Sequence, residues 1–520
     1  MTPRPVISTR AWFAAALILV LALLVRVWGL DARSLWFDEA SEYWVATAPF
    51  SGLGDAVRDG SGDPPLYATL LHFWMGLGKS EAHLRFLSVI FSVAGVAGAI
   101  VLGRRLGGKR TAFAAGLLAA LSAADIRYAQ EVGQYALMVA ALTWNLVALE
   151  RLSRDSGMRS IAAWGLTALI AAYTYFAVVI AVLVPLACVL VSASRARDRA
   201  RLRALAIALG TFVVGALPLA VAFLPAQLAR VVALPGMHSL GGPTNLMQWM
   251  GWLQQPLSFP FTGWPYGPVP AWVSAPLLGV LLILGVIANR RVAVWLGATW
   301  LAYLIADRSG VFPYGFRWGL IVAPFLTALI ALGATTRLPF RVQRIAVGAA
   351  FAMVLGMMLM SLPTRAVRDA YFPEKRWAWP ETEDMRPIVD YWRESRVDGQ
   401  PTYVYYGAAP AFAYYAERSG ATTTDRAPTW HLECWHRGRE GYCSRDGVYY
   451  GRWLRSLGDD QRISNVFATF RTEPREFWMI FAHMQPEDDI RLVTGLTMRG
   501  YQVVSVSQGR DAAAFLMRRM

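Results

Sequence analysis

Asp38 and Glu39 stand side by side in the run Ser34-Leu35-Trp36-Phe37-Asp38-Glu39-Ala40, directly after the apolar stretch Ala11 to Leu30. Two adjacent carboxylates among aromatic residues, at the mouth of a membrane-length segment, lose hydration and repel each other, so the arrangement points to use. An apolar rim raises the proton affinity of a carboxylate, which suits it to take a proton from an incoming hydroxyl. The plainer reading is a solvated loop acid. Further polar groups gather in a few short segments: Glu42, Asp63, Glu81, His83 and Arg85; then Asp125, Arg127, Tyr128, Gln130, Glu131 and Tyr135; then Asp307, Arg308, Tyr314 and Arg317. Among these, guanidinium groups suit phosphate oxygens, which they meet through paired hydrogen bonds.

The elements that must position these groups are membrane helices. Of 520 residues, 56% are hydrophobic and only 16% charged, too little polar surface to coat soluble domains of that size. The net charge of +15 does not point to nucleic acid, because the arginines fall in short clusters between apolar runs. Those clusters are Arg4 and Arg10; Arg104, Arg105, Lys109 and Arg110; Arg151 to Arg159; Arg195 to Arg203; Arg290 and Arg291; and Arg337, Arg341 and Arg344. By the positive-inside rule all are expected to be cytoplasmic. Segments 31–84, 125–135, the turn near Tyr173 to Tyr175, 225–271, 307–317 and everything after about 363 then face outward.

Expected spans are 11–30, 85–103, 111–125, 135–150, 160–173, 175–192, 204–224, 272–288, 291–306, 318–335 and 345–362, about eleven crossings. The apolar stretch Pro64 to Leu77 is about 14 residues, short of the roughly 20 a crossing needs. It is expected to lie flat in the outer interface, with Ala40 to Phe50 as a second such helix. A signal peptide is the alternative for the first helix, which however lacks a small-residue cleavage site. Helix interiors hold almost no ionisable groups, which argues against an ion-coupled transporter.

After residue 363 the pattern changes. Thr402 to Tyr406, Phe477 to Phe481, Gln502 to Val506 and Ala513 to Met517 are expected strands. Asp384 to Arg396, Ala409 to Arg418, Gly447 to Leu457 and Asp488 to Arg499 are expected helices. The alternation predicts an α/β domain over 363–520, outside the membrane, following a membrane domain over 1–362 that carries the outer loop 31–84. Cys434 and Cys443 are close enough in sequence for a disulfide in an oxidising compartment, whereas Cys188 is expected to be buried in a helix. A zinc set of His431, Cys434, His436 and Cys443 is the competing reading, with spacing unlike common ribbons.

The order Trp36-Phe37-Asp38-Glu39, Pro64-Pro65-Leu66-Tyr67 with Trp74, Ser80-Glu81, Leu84-Arg85-Phe86, Gly103-Arg104-Arg105-Leu106 and Tyr128-Ala129-Gln130-Glu131 with Tyr135-Ala136-Leu137 resembles the C-type glycosyltransferases. Within them it is similar to the bacterial branch of glycosyltransferase family 39, related to protein O-mannosyltransferases and lipid A aminoarabinose transferases. The likeness covers about the first 150 residues and the Arg317-Trp318 element. It implies a polytopic α-helical membrane enzyme of GT-C fold, moving a sugar from a polyprenyl phosphate to an acceptor hydroxyl on the outer face of a bacterial cytoplasmic membrane. The acceptor class, whether glycan, lipid or protein, stays open. By the resemblance Asp38 is the catalytic base, Glu39 shapes its position and proton affinity, and Arg317 meets the donor phosphate. Arg85 and Arg127 are weaker candidates for that contact, and Asp63, Tyr67, Tyr128, Gln130, Glu131, Tyr135 and Tyr314 are substrate-side candidates. Two positions depart from the pattern: Asp63 stands where many relatives carry His, and Gly133 where many carry Arg.

The chemistry asks for these residue types on its own terms. A sugar on a lipid phosphate already carries its leaving group, so a base and a phosphate-binding cation suffice, with one displacement and inversion. No second carboxylate is required as acid. No cofactor is required either, although Asp38 and Glu39 could hold a divalent metal. Competing readings are a snorkelling helix-end arginine for Arg317, inter-loop hydrogen bonding for Glu81, Arg85, Gln130 and Glu131, and an interfacial aromatic belt for Trp249, Trp252, Trp264 and Tyr266 in the candidate lid 225–271. At the level of the whole protein the alternatives are a polytopic lipid or glycan transporter and a non-catalytic scaffold.

Overall fold

The computed structural model describes residues 9–60, 63–233, 246–263, 267–309, 316–362, 383–418, 443–445, 447–451, 458–483 and 488–520. Helices come first, in the order α1 (Thr9–Val27), α2 (Phe37–Ala46), α3 (Leu53–Asp59), α4 (Leu66–Trp74), α5 (Glu81–Gly107), α6 (Lys109–Leu121), α7 (Ala123–Ala129) and α8 (Tyr135–Leu152). Then follow α9 (Met158–Thr174), α10 (Val178–Arg195), α11 (Arg199–Ala222), α12 (Leu224–Ala233), α13 (Leu246–Thr262), α14 (Ala271–Ala288) and α15 (Arg290–Arg308). A 3-10 helix, Phe316–Val322, leads into α16 (Ala323–Ala334) and α17 (Arg341–Met360). The rest is β1 (Thr402–Val404), β2 (Cys443–Arg445), β3 (Val448–Tyr450), β4 (Glu476–Ala482), β5 (Tyr501–Gly509) and β6 (Ala512–Arg519), with α18 (Met385–Ser395), α19 (Ala409–Arg418), α20 (Asp459–Phe470) and α21 (Asp488–Thr497) between them.

The chain forms two compact units. The first comprises Met1–Leu30, Gly62–Tyr67 and Ala82–Ala378; the second comprises Asp31–Ser61, Ala68–Glu81 and Trp379–Met520. Segments of the first outer loop, expected with the 1–362 domain, thus cluster with the C-terminal residues.

A helix occupies every expected span of the first unit. Among the described residues six of them are long and apolar enough to cross a membrane, and α6 with α7 makes a seventh if that pair, bent by 55°, is one span. Length and apolarity among the described residues thus support a multi-helical membrane fold and leave the expected count of eleven unconfirmed. Two local features shape the bundle. At Gly285 an added Cβ would sit 1.9 Å from the Leu329 carbonyl oxygen, and at Gly333 it would sit 1.8 Å from that of Leu281, so only glycine lets α14 and α16 approach this closely.

The bend between α6 and α7 is the second feature. Ser122 caps α7, its Oγ accepting from the Asp125 amide at 3.3 Å and donating to the Pro260 carbonyl at 2.6 Å. The break leaves carbonyls of α6 without helical partners, and the Arg26 guanidinium takes two of them, Ala120 at 2.8 Å and Ala119 at 3.0 Å. Its Nε donates to Ser92 Oγ at 2.7 Å. Arg26 is fully buried in α1, an exception to the expectation that helix interiors hold almost no ionisable groups.

Several arginine clusters meet at one end of this unit. Glu150, fully buried, pairs with Arg105 and with Arg154 at 2.6 Å, while Arg291 donates to Ser153 Oγ at 3.0 Å. Cys188 is half-buried on α10.

The second unit is built on a six-stranded sheet of order β2-β3-β1-β4-β6-β5. β1 lies parallel to β3 and β4 at its centre, and the other pairs are antiparallel. One face buries Tyr403, Phe477, Met479, Phe481 and Met517 under α20 and α21, with Val466, Phe470 and Leu496 from the helices. The expected strands and three of the expected helices are present. Gly447 to Leu457, expected as a helix, instead opens with β3. Gly447 turns at φ +74°, and Val448-Tyr449-Tyr450 are β-branched and aromatic residues that fit the register of β1. Cys434, the side chain of Cys443, and His431 and His436 lie outside the described residues, as do Tyr314, Trp264, Tyr266 and the side chains of Trp249 and Trp252.

Candidate functional site

Asp38 occupies the second position of α2, in the second unit. A helix start leaves amides unpaired, and Trp36, at the cap position, has no side-chain oxygen to offer. Two carboxylates supply the missing acceptors. Glu39, buried, accepts from the Trp36 amide at 3.4 Å, and Glu383 Oε2 accepts from the Phe37 amide at 3.1 Å. Asp38, partly buried, is left on the first turn, where the helix dipole favours negative charge. Further along, Trp44 Nε1 donates to the Pro410 carbonyl at 2.9 Å and Tyr43 meets Tyr414 edge to face, so α2 is bolted to α19.

The loop leading into α2 is held separately. The Arg386 guanidinium donates to Glu81 Oε1 at 2.5 Å and to the Asp31 carbonyl at 3.1 Å, and the Arg386 amide donates to Ser34 Oγ at 3.0 Å. Tyr415 Oη accepts from the Leu35 amide and donates to Glu81 Oε1, both at 2.7 Å.

Sheet register explains the neighbours of Asp38. Ala482 pairs with Ala512 across β4 and β6, so His483 and Asp511 follow at the same edge, both with left-handed backbones at φ +55° and +45°. Asp384 bonds Arg510 twice, its amide donating to the carbonyl at 2.9 Å and its Oδ2 accepting from the amide at 3.0 Å, which brings Glu383 to this edge. His483 Nδ1 lies 2.9 Å from Glu383 Oε1, and its ring stacks on Phe37 with centroids 4.8 Å apart. Burial pushes the Glu383 carboxyl up to about 7; His483 opposes that rise, and the Asp511 and Asp38 charges add to it. Donor atoms of Glu383, His483 and Asp511 lie within 4.8 Å of one another, a set whose types suit a divalent ion. Sequence reading missed these three, which are separated by up to 128 positions and carry no local signal.

The remaining candidates belong to the first unit. Arg317, on the 3-10 helix, lies over the Tyr135 ring with its guanidinium carbon 5.5 Å from the centroid. Tyr135 in turn meets Tyr128 at 5.0 Å. Arg127 is in a buried ion pair with Glu131 at 3.0 Å. Arg85 donates to the Leu30 carbonyl at 2.9 Å, and the Gln130 amide donates to the carbonyls of Trp28 at 2.8 Å and Arg26 at 3.1 Å. Tyr67 shares a hydrogen bond with Ser88 at 2.9 Å, and Asp63 accepts from Gln134 at 2.8 Å. Arg85, Gln130, Tyr67 and Asp63 thus tie segments of the first unit together, while Arg317 rests on an aromatic platform.

No protein-family model and no curated protein matches the sequence. Solved structures do. The chain is similar to ArnT from Cupriavidus metallidurans in the apo state, with 14% identity, 98% of each chain covered and a TM-score of 0.56. It is also similar to the same protein bound to undecaprenyl phosphate, with 15% identity, 98% of each chain covered and a TM-score of 0.51. An archaeal oligosaccharyltransferase, AglB from Archaeoglobus fulgidus, gives 12% identity over 98% of this chain and 74% of the other, with a TM-score of 0.49. The likeness shows an ArnT-like fold, a multi-helical bundle with a C-terminal α/β part.

Proposed function

We propose that the protein is an inverting glycosyltransferase that takes a sugar from a polyprenyl-phosphate donor and passes it to an acceptor hydroxyl. The observation that carries this reading is the setting of Asp38, a partly buried carboxylate on the first turn of a helix whose amides are already capped by Glu39 and Glu383. A partly buried carboxylate in that position, beside Trp36 and Phe37, is suited to serve as general base. The fold likeness to ArnT, which has been solved with undecaprenyl phosphate, supports the donor class.

In the proposed reaction Asp38 takes the acceptor hydroxyl proton as the oxygen attacks the anomeric carbon. The bond to phosphate oxygen breaks on the opposite face, inverting the configuration. The lipid phosphate leaves unprotonated, its charge met by Arg317, whose guanidinium can engage two phosphate oxygens. In this reading residues 1–362 form the transmembrane catalytic part, whose outer loop 31–84 carries Asp38, and 363–520 an extracytoplasmic domain, in a bacterial cytoplasmic membrane with the N-terminus inside.

The test uses membranes carrying the protein and radiolabelled undecaprenyl-phosphate hexoses and pentoses. Wild type is expected to release undecaprenyl phosphate and label an acceptor, Asp38→Asn to do neither, and Arg317→Ala to raise KM for the donor. Transfer by Asp38→Asn at the wild-type rate would refute the assignment of the base.

A further inference from the structure

We propose that Glu383 and His483 of the C-terminal residues are positioning residues for the base, holding the first turn of α2 in register so that Asp38 is presented in one fixed orientation. The inference rests on the reading of Asp38 as base, and deepens it by giving the C-terminal α/β domain a part in the reaction.

Geometry inside the second unit supports it. Glu39 accepts from the Trp36 amide and Glu383 from the Phe37 amide, the one adjacent to Asp38. A helix-start amide without an acceptor lets the first turn fray, and Asp38 sits on that turn. Glu383 is itself fixed at both oxygens: Oε2 by Phe37 and Oε1 by His483 Nδ1 at 2.9 Å. His483 is fixed by its place at the end of β4 and by its ring, which stacks on Phe37 at an interplanar angle of 18° and meets Trp36 at 6.1 Å. Glu383, His483, Phe37 and back to Glu383 therefore form a closed circuit of contacts around the residue before Asp38. With its carboxyl 1% exposed, Glu383 cannot exchange this partner for water.

Three substitutions separate the cap from the charge. Glu383→Ala removes the acceptor; Glu383→Gln keeps a carbonyl oxygen for the Phe37 amide; His483→Phe keeps the stacked ring and drops the bond to Glu383. Hydrogen–deuterium exchange of the full-length protein in detergent reads the α2 peptide, and steady-state transfer from the radiolabelled undecaprenyl-phosphate sugars reads kcat and KM. Expected for Glu383→Ala is exchange at the start of α2 faster by about tenfold and kcat lower by about tenfold, with donor KM within about twofold. Glu383→Gln should restore both to within about twofold of wild type, and His483→Phe should fall between.

Unchanged exchange and kcat in Glu383→Ala overturn the proposal. So does slow transfer in Glu383→Gln equal to that of Glu383→Ala, because the charge, not the cap, would then be the active feature. Asp38→Asn is the control: its α2 exchange should match wild type while transfer is lost. If Asp38→Asn transfers normally, the base assignment has failed, and the exchange arm still decides whether Glu383 caps the helix.

Discussion

Buried charge in the helical unit and around Glu383 in the second unit is handled in opposite ways. In the helical unit, Arg26 is surrounded by carbonyl and hydroxyl oxygens, Arg127 is paired with Glu131, and Glu150 is paired with Arg105 and Arg154. Each charge there meets groups of opposite polarity. In the second unit Glu383 is buried beside His483 with Asp511 and Asp38 close enough to raise its proton affinity, so carboxylates crowd together. Charge that meets opposite polarity holds local packing together; crowded like charge costs stability and is a mark of chemistry.

The contrast can be broken most severely at Asp38. Asp38→Asn should lower transfer by about 10²- to 10⁴-fold, the range for loss of a general base, while stability in detergent falls by no more than about 1 kcal/mol, the dipole contribution of one first-turn carboxylate. A fall in melting temperature with full transfer would place Asp38 among the packing residues instead. Arg26→Leu should do the reverse, losing about 2–4 kcal/mol because the Ala119 and Ala120 carbonyls and Ser92 are left buried without their donor. A smaller loss, about 1–2 kcal/mol, is expected for Arg386→Met, whose guanidinium is 38% exposed yet ties Glu81 to the 31–34 loop. Faster proteolysis within residues 31–36 would report it.

The smallest expected effect is a pH slope. Glu383 holds its proton up to about pH 7 when folded and only to about 4.5 when unfolded. Between those values the folded state binds the extra proton, so stability is full at the acid end and declines as pH rises toward 7. The decline should be on the order of 1 kcal/mol, less than the full shift because the buried pair relaxes. Denaturant titrations across pH 4.5 to 7 should show it, and Glu383→Gln should flatten it.

Sequence pattern reached far into the helical unit, because apolar runs and arginine clusters are local signals that a bilayer imposes on every crossing. It reached less far at the bent pair of α6 and α7, where Ser122 and the distant Arg26 decide the geometry. Arg26 was visible as a lone arginine inside the Ala11 to Leu30 run, a sign of a buried functional or structural charge. In the C-terminal residues the short run Val448 to Tyr450 was missed as a strand, since three residues give too little alternation to outweigh their surroundings.

Sequence alone determined the membrane class, the helix positions, the α/β character of the C-terminal residues and the Asp38-Glu39 pair, since each is written within a few neighbouring residues. Only the tertiary structure decided what stands around Asp38. Glu383, His483 and Asp511 reach one sheet edge through the β4–β6 register and the Asp384–Arg510 bonds, and Glu383 then caps the helix that carries the base. Such convergence depends on chain closure over hundreds of residues, which leaves no periodic trace in the sequence.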